Sequence, residues 1–309
     1  MLTNTDIVLA KIESTYNTDP TPLVGTDGVL CEAPTLAWEG ARMNERPAAR
    51  ASLGKLKSVF GDGLHTLSFD VEMKGSGTAG TPPEYDPLLR SCGFGITNVP
   101  ATSDTYAPVS TSLESCTIYY FQDGVKLYKL TGCRGNVSFS LEAGNIIKMS
   151  FTMTGHSVKP TDVTAGAVTY QSTVPQAIVS GSFAVNSYAG IISAFAFDMG
   201  NTVAMPPDIN AVDGFADIRI TGRDPSGTID PEEVLVATHD FEAEYRAGTS
   251  MAISIGSIGA VAGNIVDIDM PAVYYREMSL GDRDGIRTIE LPFGMAESSG
   301  DDECSIVFT

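Results

Sequence analysis

The sequence predicts a mainly β protein, and three observations carry that prediction. Short apolar runs with strand periodicity recur along the 309 residues, 31 glycines and 17 prolines punctuate them as turns, and helical spacing is confined to two stretches. Hydrophobic residues make up 43% of the chain and charged residues 18%, enough apolar material for packed cores and too little charge for a disordered chain. A chain of this length is expected to divide into two domains.

The clearest strand is Thr66-Leu67-Ser68-Phe69-Asp70-Val71-Glu72-Met73, where Leu67, Phe69, Val71 and Met73 share one face and the polar residues the other. Asn136 to Glu142 alternates in the same way. Ala143-Gly144-Asn145 then supplies turn chemistry, and Ile147, Met149, Phe151 and Met153 resume the pattern, predicting a hairpin. A second hairpin with a longer glycine-rich loop is expected from Ser250-Met251-Ala252-Ile253-Ser254-Ile255 and Asn264-Ile265-Val266-Asp267-Ile268-Asp269-Met270. A last pair of strands, residues 287–293 and 304–308, flanks a Ser/Gly/Asp turn.

Two helices are expected. Tyr85, Leu88, Leu89 and Cys92 form one stripe that ends at Gly93, so a short helix covers a sheet there. The other begins at Asp230, with Pro231 at the first helical position and Glu233 completing a capping pattern, and runs towards Gly248 with a break near His239-Asp240. The segment Ala143-Gly144-Asn145-Ile146-Ile147 is echoed by Ala262-Gly263-Asn264-Ile265-Val266, each between strand-like stretches. That echo points to a duplication, with domains 1–165 and 166–309.

Aspartate and glutamate exceed lysine and arginine by 38 to 19, a net charge of −19 whose field repels phosphate backbones and argues against tight nucleic-acid binding. No basic, apolar leader opens the sequence, and no apolar run approaches the roughly 20 residues needed to cross a bilayer as a helix, so a soluble protein without membrane insertion is expected. Cys31, Cys92, Cys116, Cys133 and Cys304 are odd in number and lack a CxxC pair, which fits reduced, mostly buried thiols.

Catalytic chemistry finds little footing. His65, His156 and His239 are widely separated, and no nucleophile elbow, phosphate loop or paired-histidine zinc motif is present. The glycine-rich stretch 75–80 lacks the lysine of a phosphate loop and reads as a flexible loop. Asp282-Arg283-Asp284-Gly285 resembles the start of a calcium loop, but Phe293 stands where the twelfth-position glutamate belongs, so a polar turn is the better reading. No catalytic, cofactor or metal site is expected.

Two charged features stand out. Asp70 and Glu72, and likewise Asp267 and Asp269, are spaced two apart on the polar faces of strands, which suits an acidic wall. Against the overall charge, Arg42, Arg46, Arg50, Lys55 and Lys57 crowd into one short stretch without an interleaved aromatic, a pattern that fits contact with an acidic neighbouring subunit better than nucleic acid.

In their order along the chain, several segments resemble the major tail tube proteins of long-tailed bacteriophages. They are residues 12–22, residues 68–94 with Gly75-Ser76-Gly77-Thr78-Ala79-Gly80 and Pro87-Leu88-Leu89-Arg90-Ser91-Cys92-Gly93-Phe94, the Asp123-Gly124 and Gly132-Cys133-Arg134-Gly135 turns, Asp198-Met199-Gly200-Asn201, Ile220-Thr221-Gly222-Arg223-Asp224-Pro225-Ser226-Gly227, and Gly300-Asp301-Asp302-Glu303. The resemblance implies two tandem tail-tube-like β-sandwich or barrel domains with short flanking helices. It implies rings of three chains with pseudo-sixfold symmetry, or of six chains, that stack into a tube for DNA ejection. Implied partners are further copies of the chain, tape measure, tail terminator and baseplate proteins, and double-stranded DNA in transit. The implied location is the virion tail, assembled in the host cytoplasm. On this reading Asp70, Glu72, Asp267 and Asp269 face the lumen, and Arg42, Arg46, Arg50, Lys55 and Lys57 form a ring-stacking loop. The competing expectation is a carbohydrate-binding or adhesive β-sandwich, weakened by the single tryptophan, Trp38.

Overall fold

Alternation along the strands sets the architecture. In the computed structural model, which describes residues 2–309, the Leu64–Glu72 strand buries Leu64, Leu67, Phe69 and Val71 and turns Thr66, Ser68, Asp70 and Glu72 outward. Seventeen strands joined by antiparallel ladders wrap around the core as a barrel. Two small two-stranded sheets, Met43–Asn44 with Val59–Phe60 and Asn201–Ala204 with Arg219–Arg223, stand apart from it.

Two long strands branch, and they branch alike. Lys126–Glu142 holds Lys148–Asp162 on one edge, while its other edge takes Cys116–Gln122 and then Ala194–Asp198. Val266–Tyr275 holds Met251–Ile258 on one edge and Ser305–Phe308, then Ile286–Met295, on the other. Ser226–Ile229 completes the bridge between the two systems, pairing with both Ala194–Asp198 and Ile286–Met295. Beneath the bridge Phe139 stacks on Phe197 at 4.2 Å and Phe195 on Phe293 at 5.9 Å, so aromatic packing runs from one half of the chain into the other. Each buried phenyl ring contributes about 2–3 kcal/mol by leaving water.

Both expected hairpins form. The echoed Ala-Gly-Asn segments adopt one turn: Gly144 and Gly263 each have φ +82°, and the amides of Asn145 and Asn264 donate to Glu142 and Val261, three residues back. A positive φ at the third position of such a turn is open to glycine without steric penalty. The first helix forms over Asp86–Ser91, with Tyr85, Leu88, Leu89 and Cys92 buried.

Three expectations change. The second helix is confined to Phe241–Ala247, capped by the Asp240 side chain, which accepts from the Ala243 amide at 2.9 Å. Residues 231–233 are extended instead, because the Glu233 amide donates to Arg287 and Pro231 accepts from Ile289, and a ladder engaged this way leaves no backbone groups for a helix. The strands Ile286–Met295 and Ser305–Phe308 are not partners. The second pairs with Val266–Tyr275 and with Ser103–Pro108 from the first half. The glycine-rich stretch is pinned rather than free, since Gly75 donates to Asn264 Oδ1 at 2.8 Å and Gly77 to the Gly263 carbonyl at 2.8 Å.

Candidate assembly surfaces

The outward face of the barrel carries a row of small polar and acidic side chains that can be followed through the register. Asp70 pairs with Ser150, Ser150 with Ser138, Ser138 with Asp198, Asp198 with Ser226, Ser226 with Gly294 and Gly294 with Tyr274. A second row runs from Glu72 through Lys148, Ser140, Ala196 and Thr228 to Pro292. Ser150 Oγ donates to Asp70 Oδ1 at 2.6 Å and Asn136 Nδ2 to Asp198 Oδ1 at 2.7 Å, which fixes both carboxylates in the face. Short hydroxyls and the fixed carboxylates Asp70 and Asp198 give this face its polar and acidic positions, and Ala196, Pro292 and Gly294 interrupt them.

Asp70 and Glu72 both lie on this face. Asp267 and Asp269 alternate with buried Val266, Ile268 and Met270, and so also point outward. The two pairs are not adjacent: six strand spacings of about 4.8 Å, roughly 29 Å, separate their strands along the curved sheet. Burial and then the neighbouring Asp267 raise the Asp269 carboxyl above its ordinary range. Lys148 was not expected in this wall. It donates to Glu32 at 2.6 Å and feels Asp70 and Glu72 as well, and those carboxylates, Glu32 foremost, push its own pKa up. Only the register brings Glu32 and Lys148 beside Asp70 and Glu72, so sequence spacing carried no signal for them.

The five clustered cations lie on an arm. Past the Glu32–Glu39 strand the chain turns at Gly40, passes through the Met43–Asn44 and Val59–Phe60 pair, and closes in a long loop. Arg42, Arg46, Arg50, Lys55 and Lys57 are all exposed there, together with Met43, Leu53, Val59 and Phe60. Arg50 ties the loop to itself through the Gly54 carbonyl, and Lys55 approaches Glu45 at 3.8 Å. At the base, the Arg42 guanidinium lies 4.3 Å from the centre of the Phe215 ring, which itself packs with Leu64 and Ile218. Trp38 meets Phe60 edge-on at 5.5 Å and lies over His65 at 4.3 Å.

The histidines are structural in their contacts. His156 Nδ1 is 2.6 Å from Asp213 and its Nε2 is 3.2 Å from the Tyr16 hydroxyl, while His239 lies 3.0 Å from Glu244. Asp284 and Gly285, both with positive φ, form the two-residue turn of a hairpin between Ser279–Arg283 and Ile286–Met295, the conformation Asp-Gly favours.

The comparison with protein families decides what these surfaces belong to. Residues 3–295 match the family model described as phage tail tube protein. The chain belongs to the phage tail tube protein family. This tail tube protein is therefore a structural component of a bacteriophage tail, and its β-rich barrel is the architecture on which the acidic face and the basic arm are mounted. No curated protein gave a significant match to it.

Proposed function

We propose that the chain assembles into rings that stack into a hollow tube, and that DNA leaves the virion through its centre. The observation that carries this reading is the pairing of an arm projecting from one end of the sheet with an outward face along it that presents Asp70, Glu72 and Asp198 among short hydroxyls. An acidic lumen repels the phosphate backbone, so the genome slides without sticking. Asp70, Glu72, Asp267 and Asp269 are proposed to line that lumen.

The two hairpins, each closed by an Ala-Gly-Asn turn of the same conformation, support tandem units over residues 1–165 and 166–309. Two units per chain suit a pseudo-sixfold ring of three chains. Strands such as Ser182–Val185, whose one ladder among the described residues is with Met251–Ile258, offer edges for joining neighbouring subunits. Heterologous contacts that close around an axis make rings, and repetition along the axis makes a filament. Tape measure, terminator and baseplate proteins are the expected partners at its interior and ends, with assembly in the host cytoplasm.

The arm of Arg42, Arg46, Arg50, Lys55 and Lys57 is proposed to make the contact between rings. Changing Arg46 and Arg50 to glutamate is expected to leave soluble, folded subunits that elongate poorly. Tubes of normal length from that variant, seen by negative-stain microscopy, contradict the stacking role.

A further inference from the structure

The arm needs a surface to receive it, and the strand register says where to look. It leaves the barrel at the Leu64 end of the Leu64–Glu72 strand, where Leu64 pairs with Glu39 and His156. The opposite end is marked by the row from Glu72 through Lys148, Ser140, Ala196 and Thr228 to Pro292. Beyond that row one bridging strand ends at Ile229 and the other extends through Glu290 to Ile286. The hairpin of Ser279–Arg283 with residues 286–290 projects there, and residues 231–233 are laid against it. Eight residues separate Leu64 from Glu72, so the arm's exit and this hairpin stand more than roughly 26 Å apart, at opposite ends of the sheet.

This far end exposes apolar side chains: Leu235, Val236, Leu280 and Ile286 are each half exposed or more. The arm exposes Met43, Leu53, Val59 and Phe60. The charges are complementary as well. Residues 230–238 and 279–290 together hold six carboxylates, Asp230, Glu232, Glu233, Asp282, Asp284 and Glu290, against two arginines, whereas the arm carries five cations against Glu45. The two arginines of the hairpin are already engaged, Arg283 with Asp230 at 2.9 Å and Glu232 at 3.2 Å, and Arg287 with Glu233 at 3.9 Å. Glu290 and Asp282 stay exposed, without an arginine or lysine partner among the described residues.

We infer that the end surface built from residues 230–238 and the 279–290 hairpin is the receptor for the basic arm of a second copy of this chain. The inference rests on the stacking role of the arm and names its partner surface. Opposite placement on one sheet makes the contact head-to-tail: a copy displaced along the strand direction brings its arm onto the hairpin of the next, and repetition leaves an open filament. Apolar contact between the exposed side chains supplies burial, and the charges set register and direction.

A charge-swap series tests this in the full-length chain, with ring formation under the microscope as the folding control for every variant. Glu233→Lys with Glu290→Lys is expected to give rings that fail to elongate, as is Arg46→Glu with Arg50→Glu. Combining all four substitutions is expected to restore tubes, because the glutamates placed on the arm then face the lysines placed on the receptor. Leu235→Ser with Leu280→Ser, which leaves the charges intact, is expected to shorten tubes without rescue by the arm reversal. Normal tubes from the arm variant alone overturn the stacking role and this inference with it. Blocked elongation by the arm variant alongside normal tubes from Glu233→Lys with Glu290→Lys, or no rescue in the fourfold variant, overturns the receptor assignment and leaves the arm's role standing.

Discussion

Lys74 Nζ lies 3.2 Å from Glu84 Oε1, with 2% and 6% of the two side chains exposed. Both reach a distant stretch of the chain: Lys74 donates to the Gln171 carbonyl at 3.0 Å, and the Gln171 amide donates to Glu84 at 2.8 Å. Removing one partner strands a buried charge, at a cost of about 3–5 kcal/mol, whereas exchanging both for apolar residues of similar volume is near neutral. Lys74→Met is therefore expected to lower the thermal midpoint sharply and Lys74→Met with Glu84→Leu to recover part of the loss, the Gln171 amide and carbonyl having lost their partners. Calorimetry of the two variants checks this, and equal midpoints would show that the pair does not hold that stretch.

Gly40 sets the direction of the arm. Its φ is +61°, and a Cβ there would lie 2.9 Å from the Phe215 ring. Gly40→Ala adds a left-handed penalty of about 1 kcal/mol and presses on the ring beneath Arg42. Rings are expected to form normally while elongation slows, and light scattering during assembly measures the difference. Phe215→Ala removes the same support and is expected to act in the same direction.

Acid should loosen one specific latch. The hydrogen bonds from Ser110, first, and from Arg223 hold the Asp301 carboxyl below its ordinary value of 3.8. A carboxyl depressed in the folded state contributes stability that is present above the unfolded value and lost as pH falls through the lower folded one. Hydrogen exchange at the Ser110 amide, which donates to Asp301 at 3.0 Å, is expected to stay protected at neutral pH and to rise below about pH 3.8. Asp301→Asn is expected to flatten that dependence.

Asp269 carries the opposite sign. Burial and then Asp267 raise its carboxyl, so its charge is a burden at neutral pH that is relieved as pH falls through the raised value. Asp269→Asn is expected to make the protein slightly more stable at neutral pH, with the gain vanishing in acid. Denaturant midpoints across pH test this, and a destabilised neutral-pH variant would contradict it.

Much of the architecture is legible because period-two alternation is a local property. Leu67, Phe69, Val71 and Met73 announce a half-buried strand, and Ala143-Gly144-Asn145 announces its turn, from nearest neighbours alone. Partnership over long distance is not local: nothing near Ser305 names Tyr106 or Val266 as the strands it meets. Residues 230–233 show the same limit. Pro231 and Glu233 suit a helix start, yet a ladder to Arg287 and Ile289 engages their backbone first. Among the surfaces, the arm's cations stood out because they oppose the net charge, whereas Lys148 and Glu32 join the acidic face only through cross-strand register.

The acidic face can be probed without disturbing assembly. Exchanging Asp70, Glu72, Asp267 and Asp269 for their amides is expected to leave tubes intact, since these side chains point away from the core, but to slow DNA ejection from assembled particles. Time-resolved ejection with a DNA-binding dye is the readout, and an unchanged rate at low salt removes these residues from the lumen.

Electron microscopy of the purified chain, with the mass of a single ring, tests the account at its centre. Hollow tubes with sixfold end-on views, built from rings of three times the 32.6 kDa chain mass, are the predicted result. Compact monomers that never associate would contradict the tube itself, and rings of six chains would contradict the tandem reading of its subunit.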